Sequence, residues 1–168
     1  MVELTIRPAV QADAQIILDY LNQVGGESDN LLFGANGFQI PADQEAAVIQ
    51  RFETTPRCVM LTGYCGEELV SVASLQGLGR ERIAHRGELA VSVKKAYWGQ
   101  GVGKRMLEAL IAFGRQAGLK VLELQVREDN ARAIRLYRSL GFVEIGKYPK
   151  FFNIGGKDYG ALLMNLYL

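Results

Sequence analysis

Three glycines, Gly99, Gly101 and Gly103, alternate within the run KKAYWGQGVGK at positions 94–104. A glycine lets the backbone turn sharply and lets a ligand come close to the peptide amides. The run follows a predicted strand and leads into a predicted helix, whose first N–H groups have no partner inside the helix and lie at the positive end of its dipole. The pattern is therefore typical of a site that binds a phosphate or a pyrophosphate group.

Two common phosphate-binding motifs do not fit this run. The P-loop, G-x-x-x-x-G-K-S/T, would need glycine at Trp98 and serine or threonine at Arg105. The dinucleotide motif, G-x-G-x-x-G, would need glycine at Lys104. These mismatches argue against a nucleotide-binding protein of either kind, and a glycine-rich connection without any ligand stays open as an alternative.

The same run and a second one downstream resemble a known family. Residues 98–103 are similar to the acetyl-CoA signature of the GNAT superfamily of N-acetyltransferases, in which Arg or Gln is followed after two residues by Gly-x-Gly or Gly-x-Ala. Gly101 and Gly103 match, while Trp98 departs from the pattern and is not expected to make a polar side-chain contact of the same kind. Residues 130–142 resemble the second signature, N-x-x-A-x-x-L-Y-x-x-x-G-F, at every specified position. The chain is therefore identified as a member of this superfamily.

The resemblance implies that acetyl-CoA is the co-substrate and that it lies between two parallel strands that splay apart, here 88–93 and 121–126. The backbone groups that would pair with its pantetheine arm belong to Val91, Ser92 and Val93. The amides that would hold its pyrophosphate belong to Gly99, Gln100, Gly101, Val102, Gly103 and Lys104. By the same likeness, Asn130 would lie near the pantetheine and Tyr137 near the thioester sulfur.

The implied reaction is direct transfer of an acetyl group to a primary amine. The amine must lose a proton, and the departing thiolate benefits from a proton donor. Tyr137 is the predicted acid, although a tyrosine on the inner face of a helix is also a plain core residue. Glu88 is the predicted base, acting directly or through a water, although a solvated carboxylate at a strand end is an equal alternative. Gln125 stands where a related branch has a glutamate, and it cannot accept a proton. A backbone N–H near Val91 would serve the carbonyl oxygen.

The choice of acceptor is expected to depend on two segments outside the signatures. These are a turn-rich loop at 27–41 and a turn at 149–157, both with several aromatic or aliphatic side chains. A small-molecule amine and a peptide N-terminus both stay open as acceptors. A CoA-binding sensor without turnover is the alternative function. Lys104 and Arg105 are predicted to attract the 3′-phosphate of CoA.

Composition limits the class of protein. The chain has 168 residues, 49% of them hydrophobic, which predicts one core and a single domain over 1–168. A net charge of +1 argues against a nucleic-acid or membrane-surface partner bound through bulk electrostatics. No apolar run is long enough to span a membrane and the start lacks a signal-peptide pattern, so a cytoplasmic location is predicted. Cys58, Cys65 and His85 lack the number and spacing of metal ligands, so no metal is expected.

The periodicity of apolar residues predicts alternating strands and helices. Asp13 is expected to cap the first helix, which Gly25 and Gly26 end. Further helices are predicted at 42–54, 102–117 and 130–140, and strands at 2–7, 58–64, 69–76, 88–93, 121–126, 142–148 and 159–168. The fold class is α/β (α+β): a GNAT-like mixed, mostly antiparallel sheet of about seven strands, with a central splayed parallel pair and helices on both faces. The resemblance implies a homodimer, because many such small domains pair through their C-terminal strands, and the run 161–164 would need covering if it lies on an exposed sheet edge.

Overall fold

The computed structural model describes residues 2–168, which form seven strands and four α-helices. The strands are β1 (Thr5–Pro8), β2 (Cys58–Cys65), β3 (Glu68–Gly77), β4 (Arg86–Val93), β5 (Val121–Arg127), β6 (Val143–Ile154) and β7 (Lys157–Tyr167). The helices are α1 (Ala14–Gly25), α2 (Ala42–Thr54), α3 (Val102–Gln116) and α4 (Ala131–Ser139). Single 3-10 turns lie at Gln11–Asp13, Glu81–Ile83 and Lys95–Tyr97. Within residues 2–168, no helix is both long and apolar enough to cross a membrane; the cytoplasmic location stays a prediction.

The strands form one mixed sheet in the order β1-β2-β3-β4-β5-β7-β6. Every neighbouring pair is antiparallel except β4 and β5, which are joined through a crossover by α3. The parallel pairing runs only from Arg86 opposite Val121 to Glu88 opposite Glu123. Beyond Glu88 the two strands diverge, because β4 continues to Val93 without pairing to β5. The predicted fold class is confirmed, including the splayed parallel pair.

Helices cover both faces of the sheet because each presents one apolar stripe. On α3 the spacing of Val102, Met106 and Leu110 brings all three side chains to full burial beneath the sheet. Tyr137 of α4 belongs to the same cluster. The opposite face is covered by α1 and α2, where Ile17 and Ile49 anchor a second cluster that includes Tyr20, Val24, Leu69 and Val72.

In the C-terminal third, one prediction was wrong and the condition attached to another is not met. β7 is an inner strand between β5 and β6, and Ala161, Leu162 and Met164 are buried, so the run 161–164 is not an exposed edge. The homodimer therefore stays a prediction without that support. The segment 149–157 is mostly strand, because β6 continues through Pro149 to Ile154 and turns only at Gly155 and Gly156. Proline is tolerated there since β6 is an edge strand and its register shifts after Tyr148.

Asp13 stands before α1 but does not cap that helix through its side chain. Its carboxylate accepts the Val10 N–H at 2.9 Å and pairs with the Arg7 guanidinium at 2.7 and 2.8 Å. The Arg7 guanidinium and the Val10 bond together hold the pKa of Asp13 below its usual range. The prediction of a helix cap is thus corrected: Asp13 closes the preceding 3-10 turn and ties it to β1.

Candidate active site

A groove of about 1210 Å³ opens where β4 and β5 diverge. Its walls come from α1, α2, the loop 27–41, the splayed ends of β4 and β5, the glycine run and α4. Ligand pockets for a single drug-sized molecule commonly hold about 300–1,000 Å³. The groove is therefore large enough for two substrates that meet at the splay.

Along β4, the backbone N–H and C=O groups of every second residue point towards this groove. Lys94 donates its N–H to the Val70 carbonyl at 2.9 Å, which places the even-numbered residues of β4 in hydrogen bonds with β3. The backbone groups of Val91 and Val93 therefore point towards the splay. Ser92 lines the groove, but its backbone pairs with β3 and its hydroxyl lies 3.0 Å from the Tyr20 hydroxyl. Of the three residues predicted to pair with pantetheine, Val91 and Val93 have the required orientation.

The glycine run forms a sharp turn into α3. Gly99 and Gly101 have φ values of +76° and +84°, a left-handed conformation that side chains disfavour. Within the described residues 2–168, none of the six N–H groups from Gly99 to Lys104 has a hydrogen-bond acceptor; the first bonded amide is that of Arg105, at 3.1 Å from the Gly101 carbonyl. All of these residues except Gln100 line the groove. Free amides at a helix N-terminus form an anion site, as the glycine pattern predicts.

Trp98 makes a polar contact within the chain, of a different kind from the one that Arg or Gln would make at this position of the signature. Its indole Nε1–H donates to the Val93 carbonyl at 2.8 Å, because the ring folds back over the end of β4. The Arg132 guanidinium lies 4.9 Å from the centre of the indole ring, and both side chains line the groove. Trp98 therefore fixes the glycine turn to β4 and holds a cation beside it.

Lys104 and Arg105 lie in different surroundings. Lys104 lines the groove, and its ammonium is 3.9 Å from the Glu108 carboxylate. Arg105 donates to the carbonyl oxygens of Leu4 at 2.8 Å and Val2 at 3.4 Å, and it is not part of the groove wall. The prediction that Arg105 attracts the CoA phosphate is therefore corrected: this side chain ties the N-terminal segment to α3.

Asn130 and Tyr137 both lie on the groove, at the start and on the inner face of α4. The Asn130 side chain accepts the Ala133 N–H at 3.3 Å, so it caps the helix. Tyr137 is 8% exposed and its ring packs edge-on against Phe142, 5.8 Å between centres. Among residues 2–168 its hydroxyl has no hydrogen-bond partner, and burial raises the pKa of Tyr137 to about 12. The group is a protonated donor that is free to bond a ligand.

The predicted base, Glu88, is the last residue of β4 that pairs with β5, and its exposed side chain lines the groove at the point of divergence. Glu123 lies opposite, but its carboxylate is occupied by Arg86, with Nε 2.9 Å away. Gln125 also lines the groove. Of these two carboxylates, Glu88 is the one without a hydrogen-bond partner among residues 2–168.

Glu45 is a groove residue that was not predicted from the sequence. It lies in the first turn of α2, is 4% exposed and lines the same groove. Burial raises the pKa of its carboxyl. Its spacing in the sequence could have indicated this position. Glu45 precedes the buried Ile49 by four residues, so both side chains lie on the apolar stripe of the helix.

The loop 27–41 forms the outer wall of the groove, as expected for an acceptor segment. Its apolar side chains in the wall are Leu31, Leu32, Phe33, Phe38 and Ile40. The Glu27 carboxylate accepts the Lys95 N–H at 2.6 Å, and the Asp29 carbonyl accepts from Arg127 at 3.1 Å. At its far end the loop exchanges two hydrogen bonds with the Asn22 side chain, through the N–H and carbonyl of Phe38. Of the segment 149–157, only Phe152 reaches the groove.

The site thus combines a splayed parallel pair of strands, a helix start with free amides and, within residues 2–168, a buried tyrosine whose hydroxyl has no partner. Residues 29–142 match the Acetyltransferase (GNAT) family. The chain belongs to this family.

Individual relatives agree with this assignment. The N-alpha-acetyltransferase RimI of Mycobacterium tuberculosis is 37% identical over 93 residues, which are 55% of this chain and 57% of that protein. The matched part thus spans little more than half of that relative. A GNAT-family acetyltransferase from Streptococcus pneumoniae has a TM-score of 0.95 at 26% identity, over 99% of this chain and 100% of that one. The acetyltransferase yncA of Salmonella typhimurium, solved with its cofactor acetyl-CoA, has a TM-score of 0.86 at 25% identity, over 98% and 94%.

Proposed function

We propose that the protein is an acetyl-CoA-dependent N-acetyltransferase, an acyltransferase that moves an acetyl group directly to a primary amine. The observation that carries this proposal is the run of six free amides from Gly99 to Lys104 at one end of the groove. The groove then passes the splay of β4 and β5 and the unbonded hydroxyl of Tyr137. A solved neighbour of the same fold holds acetyl-CoA, which supports this choice of co-substrate.

The residues along the groove suit acetyl-CoA from its pyrophosphate to its thioester. The amides of Gly99 to Lys104 would receive the pyrophosphate, helped by the positive end of the α3 dipole. The free N–H and carbonyl of Val91 would pair with the amide groups of the pantetheine arm. Asn130 would stand beside this arm while it caps α4. With these contacts the thioester would lie at the splay, in the groove that both Tyr137 and Glu88 line.

The transfer then needs one attack, a base for the amine proton and a hydrogen-bond donor for the departing sulfur, whose thiolate afterwards takes a proton from solvent. The amine lone pair attacks the thioester carbonyl, the C–N bond forms, and the C–S bond breaks with its electron pair leaving on sulfur. The N–H of Val91 would stabilise the negative charge on the carbonyl oxygen. Tyr137 would donate to the departing thiolate, and Glu88, directly or through a water, would take the proton from the amine.

The acceptor is an amine of a small molecule or the N-terminus of a peptide. The apolar wall formed by the loop 27–41 would hold the part of the acceptor next to the amine. The name of the mycobacterial relative, an N-alpha-acetyltransferase, supports a peptide acceptor. The groove itself accommodates either class.

Turnover is tested by following free thiol from acetyl-CoA against amines, amino acids and short peptides, with Glu88→Gln beside the wild type. We expect amine-dependent thiol release, and a loss of about 100-fold in kcat/KM for Glu88→Gln near neutral pH, as for other general bases. The loss should shrink at high pH, where the amine is already neutral.

The alternative function, a CoA-binding sensor, is favoured by Gln125, a residue in the groove that cannot act as a base. Tight CoA binding without thiol release from any acceptor would support the sensor. No binding of CoA would contradict both functions.

A second test compares binding of CoA and dephospho-CoA, which differ only in the 3′-phosphate. It asks whether Lys104 or the neighbouring Arg105 attracts that phosphate. Lys104→Ala is expected to weaken CoA about threefold more than dephospho-CoA, the size typical of an exposed ion pair. Arg105→Ala should weaken both ligands equally and lower the free energy of unfolding by about 1–3 kcal/mol, because two carbonyl oxygens lose their donor. Calorimetric titration and thermal unfolding measure these effects. Ligand discrimination by Arg105→Ala would contradict this assignment.

A further inference from the structure

Glu45 is a buried carboxylate in the groove that the proposed mechanism does not use. The residue is 4% exposed, and its carboxyl group keeps its remaining surface open to the groove. Among residues 2–168 no cation or hydrogen-bond donor acts on that carboxyl, because burial is the sole cause that raises its pKa. A buried charge is unfavourable unless it is paired. The helix dipole favours an acidic residue at a helix start whether or not that residue is buried, and Asp43 in the same turn is exposed. The helix start therefore does not explain the burial of Glu45. The position of Glu45 therefore points to a partner that arrives in the groove.

The cations that line the groove already have other contacts. Arg127 is bonded to Asp129 at 2.6 and 2.8 Å and stacks on Tyr159. Lys104 lies near Glu108, and Arg132 lies over Trp98. The wall on the side of α1 and α2 is apolar apart from Glu45, with Ile17, Leu21, Val48, Phe52 and Met60. The partner of Glu45 is therefore a group of the acceptor.

That group is distinct from the nitrogen that reacts. Glu88 and Tyr137 mark the splay, where the reacting nitrogen must be neutral. Glu45 belongs to α2, which packs mainly against α1 and β2, away from the parallel pair β4 and β5. A carboxylate that held the reacting ammonium would also stabilise its protonated, unreactive form.

We propose that Glu45 recognises a second, positively charged group of the acceptor, so that the preferred substrate is a primary amine that carries a separate cation beyond an apolar spacer. This inference rests on the proposed acetyl transfer and narrows its substrate class. The apolar spacer would lie against the aromatic and aliphatic wall, and the cation would neutralise the buried carboxylate. The aromatic rings of Phe33, Phe38 and Phe52 provide further favourable surface for a cation.

The test compares acceptors that differ only in charge. One series is aminoalkyl-trimethylammonium with two to six methylenes, and the other is its neutral tert-butyl isosteres; each molecule has one reactive amine. At the best length, the wild type should prefer the cation at least tenfold in kcat/KM. Glu45→Gln should reduce this preference below twofold. Asp43→Asn removes an exposed charge from the same helix turn and should leave the preference intact. An unchanged preference in Glu45→Gln, or none in the wild type at any length, overturns the proposal.

A binding experiment separates this proposal from the proposed function. Pentyltrimethylammonium has no reactive amine, and its affinity for the CoA-loaded protein can be measured by calorimetry. If no acceptor releases thiol, acetyl transfer fails, but at least tenfold tighter binding to the wild type than to Glu45→Gln would still support the role of Glu45. Equal affinity, or no binding to the wild type, would overturn it. Thermal unfolding of both variants identifies any loss of folded protein.

Discussion

Tyr137→Phe is expected to lower kcat about 100-fold while the affinity for acetyl-CoA changes less than twofold. The phenol is the donor available to the departing sulfur, and loss of one donor to a developing anion commonly costs 10²–10³-fold. Because the hydroxyl has no partner in the described chain, its removal leaves no buried group unsatisfied. The thermal midpoint of the variant should therefore be close to that of the wild type. Steady-state kinetics with binding and unfolding measurements test the three statements together.

The pKa of Tyr137 indicates how the hydroxyl acts. Burial raises it to about 12, whereas an ordinary thiol such as cysteine titrates near about 8.5. Complete transfer of the proton to the thiolate is therefore unfavourable, and the hydroxyl stabilises the developing charge chiefly as a hydrogen-bond donor. Since Tyr137 stays protonated well above neutral pH, the ratio of wild-type to variant kcat should be constant from pH 6 to 9.

Tyr20→Phe is the matched control for this prediction. Tyr20 is also buried but does not line the groove, and its hydroxyl is bonded to that of Ser92, whose backbone pairs with β3. Its loss should reduce the free energy of unfolding by about 1 kcal/mol and leave kcat within a few-fold. The two variants are thus expected to show opposite patterns. Full kcat in Tyr137→Phe would contradict the role of its hydroxyl.

Gly101→Ala is expected to weaken acetyl-CoA at least tenfold. Gly101 has a φ of +84°, and the left-handed conformation costs a residue with a side chain about 1–2 kcal/mol. The added methyl group meets no protein atom within 4 Å, so its effect arises from backbone strain and from its place beside the free amides. A turn that relaxes away from this conformation no longer directs those amides at one anion. Calorimetric titration with acetyl-CoA measures the loss.

Gly118→Ala is the matched control at the opposite end of α3. Gly118 has a φ of +75° and also has no protein atom within 4 Å of an added methyl group. Both substitutions should lower the free energy of unfolding by a similar amount, but only Gly101→Ala should affect acetyl-CoA. If the two variants bind acetyl-CoA equally well, the glycine turn is not the pyrophosphate site.

The features that could be predicted from the sequence are those set by short-range geometry. The start of α3 depends on Gly101, and the cap of α4 depends on Asn130; each acts within a few residues of its own position. The splay was expected through family resemblance, and the pairing of β4 with β5 confirms it.

The features that were missed depend on partners distant in sequence. Arg105 is committed to Val2 and Leu4, about a hundred residues away, so its charge does not reach the groove. The extension of β6 through Pro149 depends on β7, which supplies the pairing. Glu45 can be identified as a groove residue only in the folded chain, where it lines the same groove as the loop 27–41 and the sheet. The spacing of residue types along the sequence does not reveal these long-range contacts.

The anchors of the loop 27–41 bear on how such an enzyme can diversify. The loop is fixed at its start through Glu27 and Asp29 and near its end through Phe38, by contacts that are mainly to backbone atoms. Residues 30–37 lie between these anchors and contribute much of the apolar wall. Their side chains can therefore be exchanged by mutation while the ends of the loop keep their attachment to the scaffold. Selection for a new acceptor can act on this short interval without altering the glycine turn, so the loop is a natural starting point for directed evolution.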